Sequence, residues 1–366
     1  MRLLVTGGAG YIGSVVTSQL LRAGHQAVVL DDLSTGHVDA VPEGAQWVQG
    51  RIQDARDVLV GGNFDGVLHF AAKSLVEQSQ RRPDLYWDNN VCGTLALLAA
   101  MRDAEVPRMV FSSSAATYGE PDVSPITEEV PAVPINPYGQ SKLAVDNMLA
   151  GTCRAYGLAA ASLRYFNVGG ALGRHGERHE PETHLIPNLL AVPAGRRPSV
   201  DVYGTDYPTP DGTAVRDYLH VVDLGEAHLA ALHAVQPGHH DVVNLGTGVG
   251  YSVQEVLDAC RQVTGHPIPA VERGRRPGDP PTLVASNVRA RELRILLSDD
   301  AYITGMVLDI AATASHLGAS VRNGQRNIQL LEAEGRCPST TAVRCGGHGV
   351  GAVPSRRKAH ASATRR

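Results

Sequence analysis

Residues 1–32, MRLLVTGGAGYIGSVVTSQLLRAGHQAVVLDD, decide the fold of this chain. They open with an apolar run from Leu3 to Val5, which is typical of a buried strand. Gly7, Gly10 and Gly13 follow at once in the spacing G-x-x-G-x-x-G. Glycines allow a tight turn and let the backbone approach a bound pyrophosphate, although a glycine cluster alone is more often just a turn.

A helix and a second strand follow these glycines. Apolar residues recur at helical spacing from Ser14 to Ala23, and the apolar run from Ala27 to Leu30 ends on Asp31 and Asp32. A helix N-terminus attracts a pyrophosphate, and an acid at the strand tip accepts hydrogen bonds from ribose hydroxyls. The whole unit therefore predicts a dinucleotide site. Because that acid would repel a 2′-phosphate, we expect NAD rather than NADP.

Length and charge exclude several classes of function. The chain has 366 residues and a formal net charge of −4, which gives no case for nucleic acid or an anionic membrane as partner. We expect no signal peptide and find no apolar run of membrane-spanning length. The odd number and wide spacing of the cysteines indicate reduced thiols in a cytoplasmic protein. They are Cys92, Cys153, Cys260, Cys337 and Cys345.

Strand-like and helix-like segments alternate between Trp47 and Ser114. This alternation predicts an α/β fold, a Rossmann-type doubly wound parallel sheet whose ligands lie at the carboxyl ends of the strands. From about Gly170 to Asp217 the chain is rich in Pro, Gly and His, which indicates a smaller mixed α/β substrate-binding lobe. The predicted domains are 1–169 (NAD-binding, with returns from about 218–250), 170–296 (mainly the smaller lobe) and 297–366 (an atypical segment with a partly disordered tail).

The residues predicted to carry the chemistry are Tyr138 and Lys142, which lie four apart in YGQSK on a helix that starts near Pro137. Both side chains then face the same way. The unperturbed pKa of a tyrosine is about 10; a neighbouring lysine ammonium is expected to stabilise the phenolate, and a bound nicotinamide cation would add to that effect. Ser114, at a neighbouring strand end, can hydrogen-bond the same substrate oxygen. Y-x-x-x-K also occurs by chance, but the preceding dinucleotide unit favours proton abstraction coupled to hydride transfer.

Several motifs in series carry a family resemblance. They are TGGAGYIG, HFAAKS, NNVCGT, FSSSAATYG, YGQSK, RYFNV, DYPTPDGTAVRDYLHV and NLGTG. Over residues 1 to about 296 the chain resembles the extended short-chain dehydrogenases/reductases, and among them the UDP-glucose 4-epimerase family. Ala115 and Ala116 follow Ser114 where related dehydratases carry an acid, which disfavours elimination.

The resemblance implies a mechanism in which Tyr138 takes the C4 proton while hydride passes to NAD. A 4-keto sugar turns in the pocket and is reduced from its other face. The implied substrates are UDP-glucose and UDP-galactose, and a homodimer is expected. The implied cofactor residues are Gly7, Gly10, Tyr11, Ile12, Gly13, Asp31, Asp32, Phe70, Ala71, Ala72, Lys73, Asn90, Ser112, Tyr138, Lys142 and Tyr165.

The resemblance also implies a set of substrate residues. They are Ser114, Tyr138, Asn167, His184, Leu185, Tyr203, Arg216, Arg276 and Asp279. The two arginines suit a diphosphate, but outside the motif each would be interpreted as a surface charge. Tyr203 could stack on uracil or be a core residue. The histidines at 175, 179 and 184 have no standard zinc spacing, so no metal is predicted.

Two departures leave a second function open. Arg51 stands where the family has an aspartate that touches the adenine, and from about Ile295 the sequence leaves the family pattern. SDDAYITGMVLDI, at 298–310, resembles the end of a shorter reductase of the same superfamily. The alternative hypothesis is a non-catalytic protein that binds NAD or UDP-sugar and that this altered end has inactivated.

Overall fold

The computed structural model of the protein describes residues 1–276, 278–293 and 302–316. The strands are β1 (Arg2–Thr6), β2 (Gln26–Asp31), β3 (Gln46–Gln49), β4 (Gly66–His69), β5 (Arg108–Ser112), β6 (Ala159–Tyr165), β7 (Asn167–Gly169), β8 (Val200–Tyr203), β9 (Val215–His220), β10 (His240–Leu245), β11 (Gly250–Ser252), β12 (Ala270–Arg273) and β13 (Thr282–Leu283).

The α-helices alternate with these strands. They are α1 (Tyr11–Arg22), α2 (Ala55–Leu59), α3 (Val76–Arg81), α4 (Pro83–Tyr86), α5 (Gly93–Asp103), α6 (Pro137–Tyr156), α7 (Leu185–Leu190), α8 (Val221–Ala234), α9 (Val253–Thr264), α10 (Val288–Glu292) and α11 (Tyr302–His316). A π-helical segment, Trp87–Cys92, joins α4 to α5, and short 3₁₀ turns lie at Val38–Ala40, Ile52–Asp54 and Ala115–Thr117. No helix of the described part of the chain is long and apolar enough to cross a membrane.

The main sheet has seven strands in the order β10-β6-β5-β4-β1-β2-β3. Every neighbouring pair in it is parallel. The chain order reverses between β1 and β4, and such a switch point leaves a crevice at the carboxyl ends of the strands. The predicted Rossmann-type fold class is confirmed.

Both faces of this sheet are covered, as the near-continuous apolar runs of its strands predict. On one face Leu3 and Val5 of β1 belong to a buried cluster with Val16 of α1 and Leu224 of α8. On the other face Leu4 belongs to a separate cluster that α5 and α6 help to form. Alternate residues of β1 thus anchor opposite helical layers and fix the position of the glycine turn that follows.

Two smaller sheets extend from this core. β9 pairs with β7, β11 and β13, while β8 pairs with β12. A third buried cluster fills this region with residues from α7, α9 and α11. β10 joins the main sheet and α8 packs on α1, which is where returns of the chain were predicted. The domain boundaries at 169 and 296 stay a prediction.

The last described helix, α11, lies in the segment that was predicted to be atypical. Met306, Val307 and Leu308 are buried in the third cluster, and α11 packs on α9 and α7. His220 Nε2 lies 3.0 Å from Asp309 Oδ2, which ties the helix to the end of β9. The altered sequence therefore still supplies an apolar stripe at helical spacing. The predicted disordered tail falls outside the described residues.

Candidate active site

The glycine turn after β1 holds the backbone where side chains would not fit. Gly7 has φ +74°, and a Cβ on it would lie 2.5 Å from the Ala71 backbone nitrogen. A Cβ on Gly13 would lie 2.2 Å from the Gly7 carbonyl oxygen. Gly10 is the N-cap of α1 and offers no side chain to cap its first turn. The turn is thus a backbone cradle at a helix N-terminus, which fits a dinucleotide pyrophosphate.

Asp31, at the tip of β2, is fixed against the glycine turn. Its Oδ2 accepts a hydrogen bond from the Ala9 N–H at 3.0 Å, and its Oδ1 accepts one from the Leu33 N–H at 2.8 Å. Burial raises the pKa of Asp31, and these two N–H donors oppose the rise. The carboxylate therefore holds the loop in shape while it faces the crevice, as a ribose acceptor must.

A cavity opens over the carboxyl ends of β1, β2, β4 and β5. Every residue that was predicted to bind the cofactor lines it except Asn90. Asn90 lies behind the wall instead: it is buried, accepts a hydrogen bond from the Lys73 N–H at 2.8 Å and donates one to the Lys73 oxygen at 3.0 Å. It therefore shapes the loop after β4. The cofactor roles themselves stay predictions.

Several cavity residues were missed by the sequence analysis. Ser34, Thr35 and Gly36 follow the tip of β2, so the parallel-sheet topology alone could have indicated them. His179 lines the cavity from a distant loop, and no local sequence signal marks it. Among the cavity residues that were not predicted are Ser34, Thr35, Gly36, Asn89 and His179.

Lys142 is buried on α6 beneath the cavity. Its Nζ donates a hydrogen bond to the Ser112 carbonyl oxygen at 2.6 Å and lies 5.8 Å from the centre of the Tyr138 ring. Burial lowers the pKa of Lys142 to about 7, and the charge of Asp146, one turn further along α6, opposes that change. Asp146 is itself paired with Arg164 at 2.8 Å.

Tyr138 lies beside Lys142 on the same face of α6, as their four-residue spacing predicts. Burial raises the pKa of Tyr138, and a hydrogen bond with Ser114 opposes the rise. A nicotinamide cation bound at the cavity would add a positive charge that favours the phenolate.

Ser114 lies just after the end of β5, next to Tyr138. The strand stops at Ser112, two residues before the predicted end, because Ser114 caps the 3₁₀ turn Ala115–Thr117 by accepting the Ala116 N–H at 3.1 Å. The three predicted catalytic residues are thus together. Their arrangement suits proton transfer at a carbinol oxygen that lies next to a hydride acceptor.

The predicted substrate residues of the smaller lobe pair with one another. Arg216, on β9, forms an ion pair with Asp279, and the Arg276 guanidinium lies 4.0 Å from the centre of the Tyr203 ring. These four residues do not line the cavity at Tyr138, and neither do Asn167, His184 and Leu185. His184 precedes α7, and Glu177 and Glu182 raise its pKa to about 10 against the effect of burial. Substrate binding by these residues stays a prediction.

Arg51 occupies an exposed position between Gly50 and Ile52, which both line the cavity. Its guanidinium forms an ion pair with Asp88 at 2.9 Å, and its backbone N–H donates to Asp54 at 2.7 Å. The side chain that replaces the family's aspartate is therefore held on the outer surface by a partner of opposite charge.

The chain is similar in sequence to a known protein family and to its members. A sequence profile of the NAD dependent epimerase/dehydratase family matches residues 3–246. The chain is 51% identical over 319 residues to a UDP-glucose 4-epimerase of Corynebacterium glutamicum, a match that covers 87% of this chain and 97% of the relative.

Two solved structures have the same fold. The UDP-glucose 4-epimerase from Brucella ovis in complex with NAD is 43% identical, with a TM-score of 0.81 over 88% of this chain and 99% of that one. The UDP-glucose 4-epimerase from Bifidobacterium longum in complex with NAD+ and UDP is 36% identical, with a TM-score of 0.81 over 88% of this chain and all of that one (100%).

Proposed function

The chain belongs to the NAD dependent epimerase/dehydratase family, and on that premise we propose that it interconverts UDP-glucose and UDP-galactose at C4 with bound NAD. The observation that carries this proposal is that Tyr138 and Lys142 line the cavity that also contains the glycine turn, while Ser114 is hydrogen-bonded to Tyr138. The names of relatives about half identical over most of the chain support the choice of substrate.

NAD would lie with its pyrophosphate at the turn formed by Gly7, Gly10 and Gly13 and with a ribose at Asp31. When bound, it supplies the hydride acceptor and, after the sugar has turned, the hydride donor. Lys142, held in place by its hydrogen bond to the Ser112 carbonyl, is placed to bind the nicotinamide ribose. Glycine at positions 7 and 13 allows the turn to pack this tightly, because a Cβ at either position would clash with neighbouring backbone atoms.

Tyr138 is the acid and base of the proposed reaction. It takes the proton from the C4 hydroxyl as hydride leaves C4, and Ser114 hydrogen-bonds the same oxygen. The 4-keto sugar then turns while its nucleotide stays bound, so that hydride returns to the opposite face of C4. Tyr138 returns the proton to the C4 oxygen. Ala115 and Ala116, in the 3₁₀ turn after Ser114, provide no acid for elimination. The site therefore favours epimerisation over dehydration.

We propose that the region 170–296 mainly holds the UDP part of the substrate. Arg216 and Arg276 are planar cations suited to a diphosphate, and the Tyr203 ring offers a stacking face. Asp279 neutralises Arg216, so a diphosphate would compete with an existing partner. The closeness of Arg276 to the ring of Tyr203 brings one charge and one aromatic face together.

We propose a homodimer from the family relationship and from one exposed surface. Trp87, in the π-helical segment, and Leu95, on α5, are exposed apolar side chains. Exposed apolar patches are typical of interaction sites, and we assign these two side chains to the dimer interface. Light scattering after size exclusion should give twice the chain mass, and Leu95→Glu should give the chain mass. A monomeric wild-type protein would contradict this assignment.

We also propose a cytoplasmic location, because the cysteines of the described residues, Cys92, Cys153 and Cys260, carry free thiols. Fractionation of the source cells checks it. Recovery of the protein outside the cytoplasm would contradict it.

The test of the proposed activity uses purified full-length protein and UDP-galactose without added cofactor. We expect UDP-glucose to appear and the same equilibrium mixture to form from either sugar, since a retained NAD is regenerated in each turnover. Absence of conversion, even with NAD added, would support the alternative of a non-catalytic binding protein.

A further inference from the structure

A cluster of metal-ligating side chains lies in the loop between β7 and α7, apart from the catalytic trio. Glu177, His179 and His184 each offer one ligand atom there, and these atoms all lie within 4.8 Å of one another. His179 Nδ1 is 2.9 Å and His184 Nδ1 is 2.6 Å from the same oxygen, Glu177 Oε1. The side chain of Glu177 is only 4% exposed. Two imidazoles thus converge on one buried carboxylate.

We propose that Glu177, His179 and His184 bind one zinc-type divalent cation. Imidazole nitrogens favour zinc and its transition-metal neighbours over magnesium or calcium, which prefer oxygen ligands alone. Two nitrogens and one carboxylate are a known three-residue ligand set for zinc, with a water in the fourth position. Glu182 Oε1, 2.9 Å from His184 Nδ1, lies at the edge of the same cluster.

The sequence analysis predicted no metal because it weighed only the histidines 175, 179 and 184. The structure changes that set. The His175 backbone exchanges hydrogen bonds with the backbone of Leu172, and His175 is not part of the cluster. Glu177 takes its place and supplies the negative charge that three neutral histidines lack. Only the folded loop brings these residues to one point, so their spacing along the chain has no diagnostic value.

The position of the cluster gives the ion a structural role. His179 lines the nucleotide cavity, and His184 directly precedes α7. Arg178, between Glu177 and His179 in the chain, is anchored to Asp39 by two contacts of 2.9 and 3.0 Å. An ion bound by Glu177 would link the cavity wall to the start of α7 and so brace the loop. This inference goes beyond the proposed function and does not depend on it.

The test is calorimetric titration of full-length protein, first treated with a chelator, with zinc chloride as the probe. We expect one saturable ion per chain in the wild type. Glu177→Gln should weaken binding by at least about tenfold, since loss of a mere outer-shell partner already costs 10–100-fold. Glu180→Gln is the matched control: this carboxylate is exposed in the same loop but lies outside the cluster, and its loss should leave binding unchanged. His184 is not varied because it is also a predicted substrate residue.

A second measurement keeps the test decisive if Glu177→Gln does not fold. Cobalt(II) added to the wild type should give the intense visible absorption of a four- or five-coordinate site. The proposal is overturned if the wild type shows no saturable one-to-one binding, if cobalt keeps its aqueous spectrum, or if a folded Glu177→Gln binds zinc as the wild type does. None of these readouts requires turnover, so they are independent of the outcome of the epimerase assay.

Discussion

The nucleotide side of the molecule and the smaller lobe are built by different means. On the nucleotide side, Gly7, Gly13 and Asp31 come from one stretch of chain, and β1 and β2 lie side by side in the sheet. In the smaller lobe, the core depends on α11, which comes from the far end of the described chain. Local motifs therefore specify the nucleotide side. The smaller lobe is specified by contacts between segments that are distant in the chain, such as α7 and α11.

This difference predicts how each region responds to change. A substitution on the nucleotide side should alter chemistry while the fold remains, because the surrounding sheet is buried on both faces. A substitution in α11 should alter the fold of the smaller lobe first and activity only as a consequence. The experiments below can separate the two responses.

The largest expected effect is on turnover in Lys142→Met. Loss of the ammonium removes a positive charge next to Tyr138 and the hydrogen bond to the Ser112 oxygen. We expect kcat to fall by about 10²-fold or more, as for loss of acid–base assistance. Circular dichroism and the unfolding midpoint should show a folded protein. A variant with near-normal kcat would remove Lys142 from the mechanism.

The next largest effect is on stability in Met306→Asp. Met306 is fully buried on α11, and its sulfur packs against Gly169. A buried, unpaired carboxylate should lower the free energy of unfolding by about 3 kcal/mol or more. The neighbouring Gly305→Asp is the control, because a Cβ there meets nothing within 4 Å. Denaturant unfolding of both variants measures the difference; equal losses would show that α11 does not complete the core.

A smaller effect is expected on substrate affinity in Arg216→Gln. If Arg216 binds the diphosphate by charge-assisted hydrogen bonds, worth about 1.5–3 kcal/mol, KM should rise about 10- to 100-fold. Steady-state kinetics with UDP-galactose checks this, and kcat should change less than KM. Arg273→Gln is the control, since that arginine forms an exposed ion pair with Asp201 in the same region. An unchanged KM in Arg216→Gln would make it a structural residue only.

A further expected effect is a pH dependence of stability. Burial lowers the pKa of Lys142 from 10.5 to about 7, so between these values the unfolded chain binds a proton that the folded chain does not. The contribution of this group to the free energy of unfolding must therefore increase as the pH rises from 7 towards 10.5. Urea unfolding of the wild type at several pH values should show this slope, and Lys142→Met should lack it. Parallel curves would contradict the lowered pKa.

The sequence predicted the nucleotide side well because its signals are local. The glycine spacing, the strand tip at Asp31 and the Y-x-x-x-K spacing each report one turn or one helix face, and the structure brings those residues to one cavity. Asn90 supports the loop after β4 from behind, and its predicted contact with the cofactor stays a prediction. No local sequence signal distinguishes a residue that lines the cavity from a residue that supports the lining.

The sequence predicted the smaller lobe less well. Its terminal segment was interpreted from a resemblance to another reductase, although its apolar stripe suits the core that α7 and α9 leave open. The Glu177 cluster was missed because its members meet only after the loop folds. The predicted lowering of the Tyr138 pKa by Lys142 stays a prediction, and burial of Tyr138 raises this pKa.

The central claim is that Tyr138 moves the C4 proton. The most direct test compares kcat for UDP-galactose in Tyr138→Phe and Tyr86→Phe. Tyr86 lies edge-on to Tyr138, 6.4 Å away between ring centres, and donates its hydroxyl to the Leu75 oxygen, away from the reaction. We predict that Tyr138→Phe loses about 10²- to 10⁴-fold in kcat while Tyr86→Phe stays within a few-fold of the wild type. Full activity in Tyr138→Phe would contradict the account.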